Sequence, residues 1–187
     1  MGIDVKGRII LLYNGKGADG ASPASYRPIT LLDTNYKLAA RTVASRRGTV
    51  LNQVVDPTQT GYLPRRWVGE TCHLEDQYLQ DTQQPSVIVF LDFEKAFDRL
   101  DKVWIEQCMA AVGFRAGAQC WVHILHTGTT AHVDFNGWHT EAFPVVSSGA
   151  FQGSPLSPLL FVLATQPMAA QARRALNSTP SSPSGSL

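Results

Sequence analysis

The sequence is poor in the residues that staple small domains or knit metal sites. Of its 187 residues only three are cysteines, Cys72, Cys108 and Cys120, an odd number with no Cys-x-x-Cys pair. Neither a disulfide framework nor a thiolate zinc site follows from that spacing. His73, His123 and His126 lack a fourth partner at ligand spacing, so they read as surface or helix-packing histidines. No apolar run approaches the roughly 20 residues that span a bilayer, and no signal-peptide pattern opens the chain. The expectation is an intracellular protein, in nucleus or cytoplasm, with no membrane partner. Adjacent aspartates occur nowhere in the chain. Net charge is only +1, which by itself points neither to nor away from a nucleic-acid partner.

The charge is unevenly placed, however. Residues 1–70 carry ten Lys or Arg against five acids, and the remainder carries six against ten. The basic part includes Arg27, Arg41, Arg46, Arg47, Arg65 and Arg66. A length of 187 residues is enough for the core of one ordinary domain.

Hydrophobic periodicity and turn signals give a provisional element order. Ile9 to Tyr13 reads as a strand, followed by the glycine-flanked loop of Lys16, whose backbone amides are open to an anion. Asp33 or Thr34 can cap a helix to about Val55, with Leu38, Val43, Val50, Leu51 and Val54 towards the core. A second helix spans about Glu70 to Gln83. Val87 to Phe93 is a β-branched and aromatic run that reads as a strand buried on both faces, ending at Asp92. A carboxylate there either holds a divalent metal or caps the following turn. Asp101 caps a helix through Ala111 that Gly113 closes, and Gly117 to His126 forms another. Thr130 to Phe135 alternates, Asn136-Gly137 is a type I′ hairpin signal, and Trp138 to Phe143 returns antiparallel. Ser154-Pro155 opens a last helix to about Leu176. The Ser/Pro-rich residues 177–187 read as a disordered tail. Strands separated by helices, with one clear hairpin, argue an α+β domain with an antiparallel sheet and helices on one face.

Four blocks stand out in order: Tyr26-Arg27-Pro28-Ile29-Thr30-Leu31-Leu32, Gln59-Thr60-Gly61-Tyr62-Leu63-Pro64-Arg65-Arg66, Phe90-Leu91-Asp92-Phe93-Glu94-Lys95-Ala96-Phe97-Asp98, and Gln152-Gly153-Ser154-Pro155-Leu156-Ser157-Pro158. Together they resemble the reverse transcriptases of non-LTR retrotransposons, over roughly residues 5 to 172. The resemblance implies a partial right-hand polymerase, with fingers over residues 1–85 and an incomplete palm over 86–176. The implied activity is RNA-directed DNA synthesis by two-metal nucleotidyl transfer, on an RNA template and DNA primer with deoxynucleotide triphosphates. Basic fingers facing an acidic palm would suit phosphates on one side and metal-binding carboxylates on the other.

Carried over residue by residue, the resemblance makes Asp92 the catalytic metal-binding carboxylate, with the Phe93 carbonyl beside it, holding Mg²⁺. Phe97 takes the position of the aromatic against the incoming sugar, where a 2′-hydroxyl would collide; residue type alone favours a core aromatic instead. Arg27 and Arg66 match positions whose guanidinium forks approach the triphosphate, and Lys16 is a further candidate. Gln152 and Gly153 match the block that shapes the nucleotide pocket. Three departures stand out: Phe151 where a basic residue is usual, Arg65 where glycine is common, and Glu70-Thr71 in place of Asp-Asn. The family's following motif, an aspartate pair, is missing, so thumb or endonuclease segments would have to come from elsewhere in a longer element. The chain alone is therefore expected to be inactive, and the alternative is a non-catalytic remnant that binds RNA or primer-template.

Overall fold

The computed structural model describes residues 5–14, 20–81, 89–145 and 149–178. Its element order is β1 (Lys6–Tyr13), β2 (Tyr26–Leu32), α1 (Thr34–Val54), α2 (Val68–Asp81), α3 (Lys102–Ala111), α4 (Ala116–His126), β3 (Thr130–Phe135), β4 (Trp138–His139), β5 (Phe143–Pro144) and α5 (Ser157–Ser178). The architecture is α+β, as the sequence implied. The sheet runs β2-β1-β3-β4, with β5 also pairing β3. It draws on strands from both sides of residue 86.

One expectation needs correcting here. The sheet is mixed, because β1 pairs antiparallel with β2 but parallel with β3. Parallel neighbours need a long crossover, and the crossover here contains α1 to α4, which short-range turn signals cannot reveal.

β2 was not legible as a strand, because Pro28 interrupts it. Its register explains the tolerance. The Thr30 N–H leaves the sheet and reaches the Gln152 carbonyl at 2.8 Å. Successive residues of a strand alternate direction, so position 28 also faces away from β1 and the proline removes no ladder bond.

A larger correction concerns residues 87–93. Val87 and Ile88 lie outside the described residues; Val89 to Phe93 form no strand, and Val89, Phe90 and Leu91 are 71–77% exposed. A strand needs a partner for its backbone donors and acceptors, and no described segment pairs with this one.

Helices α1, α3, α4 and α5 pack on one another around Leu51, Met109, Leu125, Leu156, Val162 and Leu163, all essentially inaccessible. On α1 the buried stripe is Tyr36, Ala40, Gly48 and Leu51, with Val43 partly buried. Leu38, Val50 and Val54 are exposed instead. Leu38 stands two positions from both Tyr36 and Ala40, on the side of the helix turned away from the core. Gly48 is where α1 meets the Pro64 ring, since a Cβ there would stand 3.2 Å from it.

The other helix boundaries follow their caps. Asp101 accepts from the Trp104 N–H at 2.7 Å, and Gly113 takes φ +84 beyond the C-terminus of α3. The type I′ turn is present, with Asn136 at φ 49 and Gly137 at φ 82. α5 begins at Ser157, three residues later than Ser154, and runs through Ser178, so Asn177 and Ser178 belong to a helix. Residues 179–187 lie outside the description. Asp56, just past α1, ties that end to α5: its backbone N–H reaches Gln166 and its carboxylate meets Arg173 at 2.7 Å. The Thr58 N–H, with Arg173 and the Thr58 hydroxyl, holds the Asp56 carboxyl at about 2.

His126, the last residue of α4, is buried, and its Nδ1 lies 2.9 Å from the Val122 carbonyl. Lys102 donates to the His126 carbonyl at 2.7 Å. Burial first, and the nearby Lys102 charge, lower the His126 pKa from its ordinary 6.5. The unfolded chain therefore takes up a proton that the folded chain refuses. Stability is full above pH 6.5 and declines as pH falls from there towards the depressed folded-state value. Urea midpoints measured from pH 8 to pH 5 are expected to fall below about 6.5, and the fall should flatten in His126→Gln.

Candidate nucleotide site

Three chain segments that lie far apart in sequence meet at the outer edge of β2. The first is β2 itself, the second the turn from Glu94 to Arg99, and the third the loop from Gly149 to Ser154. The third segment is fastened to the other two through its backbone. The Gly149 N–H donates to the Leu100 carbonyl at 2.7 Å, and the Ala150 N–H to the Phe97 carbonyl at 2.8 Å. On its other side the loop presents the Gln152 carbonyl to Thr30.

Two glycines make this approach possible. Gly149 takes φ +100, and a Cβ there would stand 3.3 Å from the Asp98 carbonyl oxygen. Gly153 takes φ +120, and a Cβ would come within 2.5 Å of the Thr30 oxygen. The second is a hard collision with backbone, in a conformation that side chains rarely adopt.

Serines and aromatics support the loop from below. The buried Ser154 hydroxyl pairs with the Tyr36 hydroxyl at 3.1 Å and accepts from the Leu156 N–H. Ser157 donates to the Phe151 carbonyl at 2.9 Å. Phe151 sits edge-on to Tyr36 and stacks on His126, with ring centroids 6.1 and 6.3 Å away. The aromatic at 151 is thus a packing residue that anchors the loop. Burial raises the Tyr36 pKa, so its hydroxyl stays neutral.

The result is a cavity of about 520 Å³ lined by Arg27, Lys95, Phe97, Asp98, Gln152 and Gly153 among others. Four of the residues singled out from sequence, Arg27, Phe97, Gln152 and Gly153, therefore come together. Phe97 is half-buried, with its ring tilted on Phe161 at 5.4 Å. The Arg27 guanidinium is exposed, with no hydrogen bond or ion pair among the described residues. Lys95 and Asp98 also line the cavity and were not singled out from sequence. Both lie inside the FLDFEKAFD block, but what turns them inward is a backbone feature, Lys95 at φ 52, which composition does not announce.

Other sequence candidates fall elsewhere. Arg66 is not on this cavity. Its guanidinium bonds the carbonyls of Asn52, Val55, Asp56 and Gln59 and the Asn52 side chain, at 2.5 to 3.2 Å. It caps the carboxyl end of α1, where a cation also meets the negative end of the helix dipole. Asp92 is exposed and does not line the cavity, and Phe93 lies edge-on to Phe161 at 5.7 Å. Lys16 lies outside the described residues. The donor set around Asp92 does not make a two-metal centre: among the described residues no group of three metal-ligating side chains includes it.

The reverse transcriptase (RNA-dependent DNA polymerase) family matches residues 15–181. The chain belongs to that family. It is 28% identical over 172 residues to the transposon TX1 uncharacterized 149 kDa protein of Xenopus laevis, covering 90% of this chain and 13% of that protein. It is 31% identical over 144 residues to the retrovirus-related Pol polyprotein from the type-2 retrotransposable element R2DM of Drosophila melanogaster, covering 75% and 13%. With the probable RNA-directed DNA polymerase from transposon BS of Drosophila melanogaster it shares 29% over 162 residues, covering 83% and 18%. The chain thus spans less than a fifth of these relatives' lengths. The matches identify a reverse transcriptase domain of the non-LTR retrotransposon kind. No helix among the described residues is long and apolar enough to cross a membrane.

Because the cavity of this reverse transcriptase domain depends on the 149–153 loop, Gly153→Ala is expected to lower unfolding stability by at least about 2 kcal/mol. Gly117→Ala, on open helix surface in α4, should be neutral or stabilise by up to about 1 kcal/mol. Urea denaturation of the two variants checks the pair.

Proposed function

We propose that this chain forms the nucleotide-receiving part of a retrotransposon RNA-directed DNA polymerase, taking a deoxynucleotide triphosphate against an RNA template and DNA primer. The observation that carries the reading is the cavity that gathers Arg27, Phe97, Gln152 and Gly153. Arg27 and Lys95 offer two cations to phosphate oxygens, and a guanidinium can hold two oxygens at once. Phe97 lines the cavity and offers an apolar wall for the sugar, excluding a 2′-hydroxyl by shape. The Gln152 amide can donate to and accept from sugar or base. The fingers and incomplete-palm division belongs to the same proposal.

Asp92 and the Phe93 carbonyl are the oxygen donors that this reading assigns to Mg²⁺, a cation that prefers such ligands and retains several waters. One carboxylate does not complete a two-metal centre, and these 187 residues contain no adjacent aspartates. No chemical step is therefore assigned to a metal here, and the chain by itself is proposed to bind nucleotide without sustained turnover.

A second reading has its own observation. A groove of about 500 Å³ between α1 and α4 is lined by Arg46, Arg47, Arg115 and Trp121, and the Arg47 guanidinium lies 5.7 Å from the centre of the Phe114 ring. Cations interleaved with aromatic surface suit single-stranded nucleic acid. It supports RNA binding that persists without catalysis.

Arg27→Ala is expected to weaken deoxynucleotide triphosphate binding at least about tenfold, the scale of one charge-assisted contact, as read by fluorescence titration. Arg66→Ala should leave that affinity unchanged and instead lower stability by about 2 kcal/mol. Equal losses of affinity in both variants would move the triphosphate away from the cavity. Primer extension on an RNA template should give product only when the chain is extended through downstream coding sequence; product from the 187 residues alone would overturn the inactivity proposal. For the groove, Arg46→Ala with Arg115→Ala should reduce the slope of log affinity for single-stranded RNA against log salt by roughly 1 to 1.5.

A further inference from the structure

The β3–β4 hairpin places three metal-ligating side chains on one face of the sheet, remote in sequence from every block discussed above. His132 and Asp134 are two residues apart on β3, so they point the same way. Asp134 and His139 are direct cross-strand partners, set opposite one another by the two-residue Asn136-Gly137 turn. Candidate ligand atoms of all three lie within 4.8 Å of one another. The His139 Nδ1 contacts Oδ1 of Asp134, and the His132 Nε2 stands 3.5 Å from the same oxygen. Both imidazoles therefore converge on one carboxylate oxygen. The other, Oδ2, is held by Arg8 of β1 at 3.3 Å, and Arg8 is the parallel-register neighbour of His132.

We propose that His132, Asp134 and His139 form a binding site for a borderline divalent transition metal, with Zn²⁺ its best match. Two imidazoles and one carboxylate are the nitrogen and oxygen donors such ions take, with a fourth position left to water. Tetrahedral bonds of about 2.0 to 2.1 Å set ligand atoms roughly 3.3 Å apart. The present separations bracket that value, and the two half-exposed rings can make the adjustment by side-chain rotation. Arg8 acts as a positioning residue: it occupies Oδ2 and leaves Oδ1 to the ion, as outer partners of metal-binding carboxylates do. Mg²⁺ is a poor occupant, since it prefers an all-oxygen shell.

The bound ion would clip a two-residue edge strand to the sheet. The proposal is independent of the nucleotide cavity, because none of the three residues lines it.

The test is calorimetric titration of Zn²⁺ into the full 187-residue chain carrying Cys72→Ser and Cys120→Ser, which removes the two exposed thiols. One ion per chain is expected, undisturbed by excess Mg²⁺. Affinity should fall at least about tenfold in His132→Ala and in His139→Ala. The melting temperature should rise with Zn²⁺ concentration in the parent and not in His139→Ala. Substituted Co²⁺ should show the intense visible bands of a tetrahedral site. No saturable binding at millimolar Zn²⁺, equal affinity in the histidine variants, or displacement by Mg²⁺ would each overturn the assignment. His139 is exposed, so its variant folds, and circular dichroism of that variant separates lost ligation from lost structure.

Discussion

The fold around the cavity depends on a five-residue stretch of backbone, Gly149 to Gly153, hydrogen-bonded on one side to the turn at Phe97 to Leu100 and on the other to Thr30. These bonds join segments 49 to 122 residues apart in the chain, and they are backbone bonds, so no side-chain substitution can replace them. They also explain the two glycines, since both take positive φ and a Cβ would crowd the backbone at Gly149 and collide with it at Gly153. Residues 149–153 lie just before the start of α5, whose buried Leu159, Leu160, Val162 and Leu163 anchor the loop in the helical core. Burial of those four side chains and the geometry of the cavity are thus one structural problem. A cavity-making change deep in α5 would be felt at Gln152 through a rigid connection, because packed interiors relax only partly around a void.

Local signals were legible where the determinants are local. The Asp101 cap, Gly113 at the end of α3 and the Asn136-Gly137 turn each appear as expected, because a cap or a tight turn is decided within four residues. Long-range pairing was not. The parallel β1–β3 contact follows from a crossover of more than a hundred residues, and β2 was hidden by a proline whose harmlessness depends on which way one N–H points. The run at 89–93 shows the converse. Its composition is that of a buried strand, but apolar, β-branched residues state only that a segment would be stable if covered. Without a neighbouring strand among the described residues, the same composition yields exposed irregular chain.

The candidate site divides along the same line. Arg27, Phe97, Gln152 and Gly153 could be named because the family blocks carry them, and the fold gathers all four. Arg66, from an equally clear block, caps α1 through five hydrogen bonds, showing that a residue in a motif can be retained for the architecture that holds the motif. Lys95 and Asp98 reach the cavity through a left-handed turn that no residue type announces. The His132, Asp134 and His139 group was missed because two of its members lie on one strand and the third across a hairpin. Reading the His-x-Asp spacing together with the turn two residues later would have found it.

The outward row of backbone donors on β2 has a further consequence. Tyr26 gives its N–H to the Pro23 carbonyl, Pro28 has none, and Thr30 gives its own to Gln152. An edge strand ordinarily offers such a row to any passing chain. At Tyr26, Pro28 and Thr30 this row is closed, two by internal bonds and one by the proline ring, so most of this margin has no donor free to extend the sheet from one molecule into another.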